Sequence, residues 1–394
     1  MTNRPHRSID AFARAKLAGI ETAGLTRRVV ATDRADGGMA VRDARALVSF
    51  SCNDYLGLTR HREVISAAQD AAARWGAGSG ASRLITGNYP LIDELEVRLA
   101  ALKGTEAACV FGSGYMANIG IIPCFAGADD VIFIDELAHA CLYAGARMSG
   151  ATTHAFRHND MDHLEDLLKR ERPRHGTALI VTDGVFSMDG DLAPLDVMAP
   201  LARAHDAWLM TDDAHGVGVV GRDGRGSSFA FGPDKIDVPL QMGTLSKAIG
   251  SYGGYLCASR AVIDLIHNRA RSLIFTTAPP PASMGAACKA LDIIERDAAL
   301  RAAPMTKTSL FTRRLGLPEP VAPIVPIVMG APEPAMAASA ALMERGFLVS
   351  AIRPPTVPEG SARLRFTFMA THRDEDIARL AEAVAELGLA RGGQ

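Results

Sequence analysis

The sequence predicts an α/β fold: a large, mostly parallel seven-stranded sheet covered by helices, followed by a smaller α+β unit. Three observations predict it. Short, almost wholly apolar runs alternate with amphipathic helical stretches through the middle of the chain. Several of those runs stop abruptly at aspartate or at glycine-rich turns. After the prolines at 279–281 the composition shifts, and a β-α-β-β-α order takes over.

The N-terminal stretch "SIDAFARAKLAGIETAGLTRR" spaces Ile9, Phe12, Leu17 and Ile20 as a helix does, with Asp10 near its start. The Arg-rich, acid-poor first residues also resemble a removed presequence, but the helical spacing favours a structural helix. "MAVRDARALVSFS" alternates enough for a short strand or hairpin. "HREVISAAQDAAARWG" is an amphipathic helix stopped by glycine, and "GAGSGASRLITGN" is a glycine-rich loop. "YPLIDELEVRLAALKG" is a helix with Pro90 near its start and Gly104 past its end. The seven strand candidates are "AACVF", "DVIFID", "TTHAFR", "TALIVTDGV", "AWLMTDD", "VPLQMGT" and "GGYLCAS". Helices over "MANIGIIPCF", "DMDHLEDLLKRER" and "PLDVMAPLARAH" join several of them. The expected division is 1–48 for the N-terminal helix and short strands, 49–281 for the large domain and 282–394 for the small one.

Composition excludes several classes. The chain has 394 residues, 48% hydrophobic and 22% charged, and a formal net charge of −2. That is ordinary globular composition with no basic field for nucleic acid or an anionic membrane. No apolar run approaches the roughly eighteen residues of a membrane span. The six cysteines (Cys52, Cys109, Cys124, Cys141, Cys257 and Cys288) form no CxxC pair. They read as buried reduced thiols of a cytoplasmic protein, with no zinc spacing and no metal site expected.

Four clusters carry candidate chemistry. "FGSGYMAN" runs from a strand through Gly114 and Tyr115 into a helix, whose free N–H groups and dipole favour an anion. It also matches GxGxxA, with Asp135 about twenty residues beyond Gly114, as a dinucleotide fingerprint asks. A bare structural turn is the third reading. "AWLMTDDAHGVG" ends a strand in Asp212, Asp213 and His215; a helix cap with a buried histidine competes with a carboxylate and imidazole aimed at one ring. "VTDGVFSMDGD" ends another strand in Asp183 and then Ser187, where a tight turn competes with a site role. "GTLSKAIGSYGGY" sets Lys247 between Thr244, Ser246 and small residues. A P-loop would need lysine after glycine and before Ser or Thr, which fails here. A lysine desolvated in such a turn loses preference for its charged form and becomes a nucleophile and base.

One cofactor makes sense of all four, pyridoxal 5′-phosphate: a helix start for its phosphate, a carboxylate for its ring nitrogen, a donor for its phenolic oxygen and a lysine for its aldehyde. "DELAHACL" adds His139 as a ring to lie on its face. With "SCNDYLGL", "GSGASRLITGN", "DDAHGVGVVGRDGRGS", "FTTAPPP" and "IRPPTVPEGSARLRFTF", the chain resembles the α-oxoamine synthase family of fold-type-I PLP-dependent transferases over about residues 50–370. The resemblance implies these roles. Lys247 carries the cofactor, Asp212 pairs with the pyridine nitrogen, His215 with the phenolic oxygen, and His139 stacks on the ring. Ser187 contacts the cofactor; Gly114, Tyr115 and Thr244 hold the phosphate. Thr276 and Thr277 reach the phosphate of a neighbouring subunit, so a homodimer with shared sites is implied. Asn53 and Arg353 hold the substrate carboxylate, Thr356 lies in the same loop, and Arg27, or in competition Arg28, meets the acyl substrate. Some relatives carry Glu where this chain has Asp183.

The implied reaction is decarboxylative condensation of an amino acid with an acyl-CoA or acyl carrier protein thioester. "SRLITGN", "GVFSMDGDLAPL" and "IRPPTVPEG" lean towards the branch that joins L-alanine to a pimeloyl thioester. The sister activities of that family, of the glycine C-acetyltransferase, 5-aminolevulinate synthase or serine palmitoyltransferase type, stand beside it, as do two readings from other classes: an NAD-dependent dehydrogenase using "GSGYMA", and a scaffold that keeps the fold without the chemistry.

Overall fold

A computed structural model describes residues 8–392 of the chain. The first seven residues, where the presequence resemblance begins, lie outside the described residues. Helix α1 (Ile9–Thr22) starts at Ser8, whose hydroxyl accepts from Ala11 N–H. None of its residues is buried, and Phe12 and Leu17 stand exposed. Strand β1 (Asp33–Arg34) leads to the hairpin β2 (Met39–Arg42) and β3 (Arg45–Ser49). Its two turn residues, Asp43 and Ala44, both take positive φ, the backbone twist that two-residue hairpins need. Helices α2 (Arg62–Trp75) and α3 (Pro90–Lys103) follow, α3 closed by Gly104 in the left-handed conformation.

The large sheet is built from β4 (Ala107–Phe111), β5 (Val131–Asp135), β6 (Thr152–Phe156), β7 (Ala178–Asp183), β8 (Trp208–Asp212), β9 (Leu240–Thr244) and β10 (Gly254–Ala258). Their order is β4-β10-β9-β8-β7-β5-β6, and only β10 runs antiparallel to its neighbours. All seven strands expected from the sequence are present. Side chains alternate between two faces, as strand geometry dictates. Ile132 and Ile134 face α4 (Gly114–Phe125) and α5 (Ala140–Ser149), together with α8 (Arg260–Arg269) and the short α9 (Arg271–Ile274). Val131 and Phe133 face α6 (Met161–Glu171) and α7 (Leu195–Ala204) on the other side. Farther along that second face, α2, α3 and α10 (Pro281–Arg296) cover β4 and β10. Because α10 contributes Met284, Ala287 and Leu291 to this core, the expected division after residue 281 falls one residue into a helix packed on the large sheet.

The remaining chain forms α11 (Ala298–Leu315), β11 (Ile324–Gly330), α12 (Pro332–Glu344), β12 (Phe347–Leu348), β13 (Ser350–Ile352), β14 (Ala362–Thr367) and α13 (Asp374–Glu386). Strands β11, β14 and β13 make an antiparallel sheet over a core rich in phenylalanine, including Phe311, Phe366 and Phe368. Strand β12 pairs in parallel with β3, so the N-terminal hairpin is joined to the C-terminal unit. Among the described residues no helix is long and apolar enough to cross a membrane.

The chain leaves β4 at one edge of the large sheet and enters β5 near the other. Ligands of open parallel sheets gather where strand order breaks in this way, beyond the carboxyl ends of the strands. The carboxyl ends of β4, β7, β8 and β9 lead to Gly114, Asp183, Asp212 and Thr244 respectively.

Candidate active site

A cavity of about 210 Å³ opens there. It is lined by Gly114, Tyr115, His139, Asp183, Ser187, Asp212, His215, Thr244 and Lys247, together with Ser113, Cys141 and Ser246. Nine predicted or discussed positions from five separate segments therefore share one space. An adjoining cavity of about 780 Å³ shares His139 and Ser187 with it and is lined by residues 354–359, which include Thr356.

Each wall has a local cause. Ser113 caps α4 by accepting from Met116 N–H at 3.1 Å, and the first helical N–H groups at Gly114 and Tyr115 have no intrahelical partner. A Cβ on Gly254, next door on β10, would lie 2.6 Å from Ser113 O and 2.7 Å from Gly114 N, so only glycine lets the helix start come this close to the sheet. Thr244 Oγ1 lies 2.7 Å from Ser246 Oγ and donates to Gly253 O at 2.8 Å. Asp212 is buried; its Oδ1 accepts from Ala214 N–H at 3.0 Å and its Oδ2 from Asn118 Nδ2 at 2.7 Å. His215 Nδ1 lies 2.7 Å from the hydroxyl of buried Tyr55.

Burial sets the protonation states. Lys247 Nζ has no hydrogen-bond partner among the described residues, and desolvation lowers its pKa against the pull of Asp212 and Asp183. His215 is pushed well below the usual imidazole range by burial, then by the positive charges of Lys247 and Arg365, so it stays neutral. Burial also lowers His139, with Asp212 opposing. Asp183 is driven well above the usual carboxylate range by burial and then by Asp212, while its Oδ2 accepts from His139 N–H at 2.8 Å. Burial pushes the Tyr55 hydroxyl up to about 12, so it remains protonated.

Asn53 lies beside an arginine other than the one assigned with it to the substrate carboxylate. Arg365 Nη1 and Nη2 donate to Asn53 Oδ1 at 3.1 and 3.2 Å, and its Nε donates to Ser187 O. Arg353 instead donates to the carbonyls of Gly24 and Thr26, both at 2.6 Å, tying the N-terminal segment to the 354–359 loop. Strand period explains the difference: Leu364 and Phe366 of β14 enter the small core, so Arg363 and Arg365 point the other way, towards Asp189 and Ser187. Arg27 and Arg28 are exposed. Thr276 and Thr277 lie in the loop after α9 and do not line this cavity within one chain. Tyr55, Asn118, Cys141 and Arg365 are site residues that motif spacing did not single out. Only Arg365 had a readable signal, the Arg-Leu-Arg-Phe alternation of its strand.

Two competing chemistries lose their residues. Asp135 is buried and engaged by His158 Nδ1 at 3.0 Å and by the N–H groups of Leu137 and Asn159, so it serves no nucleotide ribose. Glu96, Cys109 and His267 come within metal-binding reach of one another in a surface cleft. Arg83 Nη1, at 2.5 Å, already holds the Glu96 carboxylate, which disfavours a cation there.

The donor set around Lys247 fits pyridoxal 5′-phosphate. It offers free N–H groups with two hydroxyls at one end, a buried carboxylate at the other, and an amine without a protein acceptor between them.

The comparisons agree with the cofactor. Residues 45–384 match the family model "Aminotransferase class I and II". An 8-amino-7-oxononanoate synthase of Methylobacterium sp. is 58% identical over 386 residues, covering 98% of this chain and 99% of that one. A serine palmitoyltransferase solved with its PLP internal aldimine superposes with a TM-score of 0.90 at 28% identity, covering 97% of this chain and all of that one. The 8-amino-7-oxononanoate synthase of Francisella tularensis superposes with a TM-score of 0.75 at 26% identity, covering 87% of this chain and 98% of that one.

Proposed function

This chain belongs to the class I and II aminotransferase family and, within it, to the 8-amino-7-oxononanoate synthases; on that premise we propose that it condenses L-alanine with pimeloyl-CoA, or a pimeloyl carrier protein, releasing CoA and CO2. It is a PLP-dependent acyltransferase of biotin biosynthesis. The observation that carries the cofactor chemistry is the convergence of Lys247, Asp212, His215, His139 and the start of α4 on one cavity that shares His139 and Ser187 with a larger one, while the choice of substrate rests on the 58% identity.

Bound there, pyridoxal 5′-phosphate supplies an aldehyde that takes amines covalently and a ring that stabilises negative charge at the substrate Cα. The N–H groups of Gly114 and Tyr115, with Thr244, would hold its phosphate. Asp212, kept rigid by Asn118 and Ala214, would keep the ring nitrogen protonated. His215, oriented by Tyr55, would donate to the phenolic oxygen. His139 and Ser187 line the cavity in which the ring would lie, His139 as the ring to cover its face. Lys247 would be both the covalent anchor and the base at the substrate Cα; its lowered pKa raises the fraction of free amine. Arg365 and Asn53 hold the alanine carboxylate, a role the guanidinium suits by its fork of donors. The net reaction would exchange the carboxylate of alanine for the acyl group, with the thiolate and CO2 released, and Lys247 would be the residue that moves the proton at Cα. Thr356 and the 354–359 loop border the acyl route, with Arg27 or Arg28 at its outer end. The enzyme works as a homodimer in which Thr276 and Thr277 of each subunit reach the other's phosphate.

One observation favours a sister activity: the backbone fits serine palmitoyltransferase better than the Francisella enzyme. Backbone fit reports architecture that the whole family shares, whereas substrate choice resides in side chains, where the 58% identity applies. The test is CoA release by purified protein given alanine, glycine or serine with pimeloyl-, acetyl-, succinyl- or palmitoyl-CoA. Alanine with pimeloyl-CoA is expected to dominate; a preference for glycine or serine overturns the assignment. Lys247→Ala is expected to lose the visible absorbance of covalently held PLP and about 10³-fold or more of the rate. Persistence of that absorbance would assign the anchor elsewhere.

A further inference from the structure

We infer that Asn118 and Cys141 are positioning residues that fix the imidazole of His139 in its Nε2–H tautomer and present that N–H to the junction of the two cavities. The inference rests on the reading that His139 covers the cofactor ring, and it follows from a chain of donors with one consistent assignment. Asp212 accepts through both oxygens, so the Asn118 atom 2.7 Å from Asp212 Oδ2 is the amide nitrogen. The same NH2 group lies 3.0 Å from Cys141 Sγ and donates to it, which makes the sulfur an acceptor on that side. The thiol hydrogen is then free for the nearest acceptor, His139 Nδ1, at 2.8 Å. His139 Nδ1 also accepts from the Cys141 backbone N–H, at 3.3 Å, as the cap of α5. A nitrogen that receives two donors carries no proton, so the ring hydrogen sits on Nε2.

Two further facts support the assignment. Burial, with Asp212 adding to it, pushes the Cys141 thiol up to about 12, so the S–H is intact when the enzyme works. The His139 main chain is pinned as well, its N–H donating to Asp183 Oδ2 at 2.8 Å. The ring is thus held from the backbone and from Nδ1, while Nε2 has no protein partner among the described residues and His139 lines both cavities. A ring held this way serves the reaction twice. It keeps an uncharged face against the cofactor, and it offers one fixed donor to the oxygen of an incoming acyl or carboxylate group. Asn118 joins this ring to Asp212 through a single amide, so the groups proposed for two sides of the cofactor are positioned together.

The test uses the ring nitrogens directly. Full-length protein labelled with 15N-histidine, free of cofactor, is examined by long-range proton–nitrogen correlation, with His139→Asn identifying the signal. Wild type and Cys141→Ser are expected to show an unprotonated Nδ1, because a hydroxyl preserves the donor. Cys141→Ala is expected to show a mixture of tautomers and, in the loaded enzyme, a loss of about 2- to 10-fold in kcat with little change in KM, the size of one hydrogen bond. A protonated Nδ1 in wild type overturns the inference. So does a Cys141→Ala protein with a single Nε2–H tautomer and unchanged kcat, or a Cys141→Ser protein that behaves like the alanine variant. The tautomer readout needs neither substrate nor cofactor, so its failure is separable from failure of the proposed reaction.

Discussion

Lys103 and Asp213 form an ion pair whose removal has a calculable cost. Lys103 Nζ lies 2.7 Å from Asp213 Oδ2 and 2.6 Å from Arg225 O, and both side chains are about 1% exposed. Replacing Lys103 by methionine keeps the volume and removes both bonds. Asp213 then retains only Ser227 N–H, which reaches its two oxygens at 3.1 and 3.0 Å. Water cannot easily replace the ammonium, because the backbone is already pressed against the carboxylate. A Cβ on Gly216 would lie 2.1 Å from Asp213 Oδ1, and one on Gly226 would lie 1.7 Å from Oδ2. Stranding one member of such a pair costs roughly 3–5 kcal/mol. Urea unfolding of Lys103→Met at fixed protein concentration is therefore expected to reach its midpoint about 1 M earlier, for a slope of about 3 kcal/mol/M or more. The double variant Lys103→Met with Asp213→Asn leaves no charge and keeps an acceptor for Ser227. It is expected to lie within about 1–2 kcal/mol of wild type, the value of the lost bond to Arg225 O. A single variant that loses less than about 1 kcal/mol, or a double variant no better than the single one, refutes the reasoning.

His158 bridges Asp135 and Asp191, which raises its pKa to about 10 despite the opposing effect of burial. Its contribution to stability is complete below the unfolded pKa of about 6.5 and is lost as pH rises through about 10. Urea midpoints measured across that window should fall less steeply for His158→Gln than for wild type; parallel curves would show that the bridge is not charged. Arg365→Ala is expected to raise KM for alanine about 10- to 100-fold, the loss of charge-assisted bonds worth roughly 1.5–3 kcal/mol, while Arg353→Ala leaves it nearly unchanged. The reverse pattern returns the carboxylate to Arg353. Gly254→Ala pushes a methyl group into Ser113 O and Gly114 N and should weaken PLP binding about 10-fold or more in an absorbance titration. Unaltered affinity would move the phosphate away from the start of α4.

The large sheet was legible because each strand is a short apolar run bounded by turn residues, and a strand buried on both faces needs no partner to be recognised. Helix α5 was not, because its cap is the side chain of His139 rather than the Ser, Thr, Asp or Asn that marks most helix starts. The same division runs through the site. Lys247, Asp212 and His215 stand in local motifs whose chemistry is self-contained. Arg353 and Arg365 sit twelve positions apart in one block, and nothing in the spacing says which faces the cavity. The decision is made elsewhere: β14 turns Leu364 and Phe366 into the phenylalanine core, and Arg365 then meets Asn53, 312 positions away in sequence. Contacts of that kind also explain why Tyr55 and Asn118 went unseen, since each matters only through a partner, His215 or Asp212, that lies 160 or 94 positions away. The residues that line the cavity can thus be inferred from motifs, while those that aim them depend on strand register and helix packing. The two arginines show the difference: both belong to one motif, and only the alternation of β14, together with the engagement of Arg353 by the carbonyls of Gly24 and Thr26, separates them.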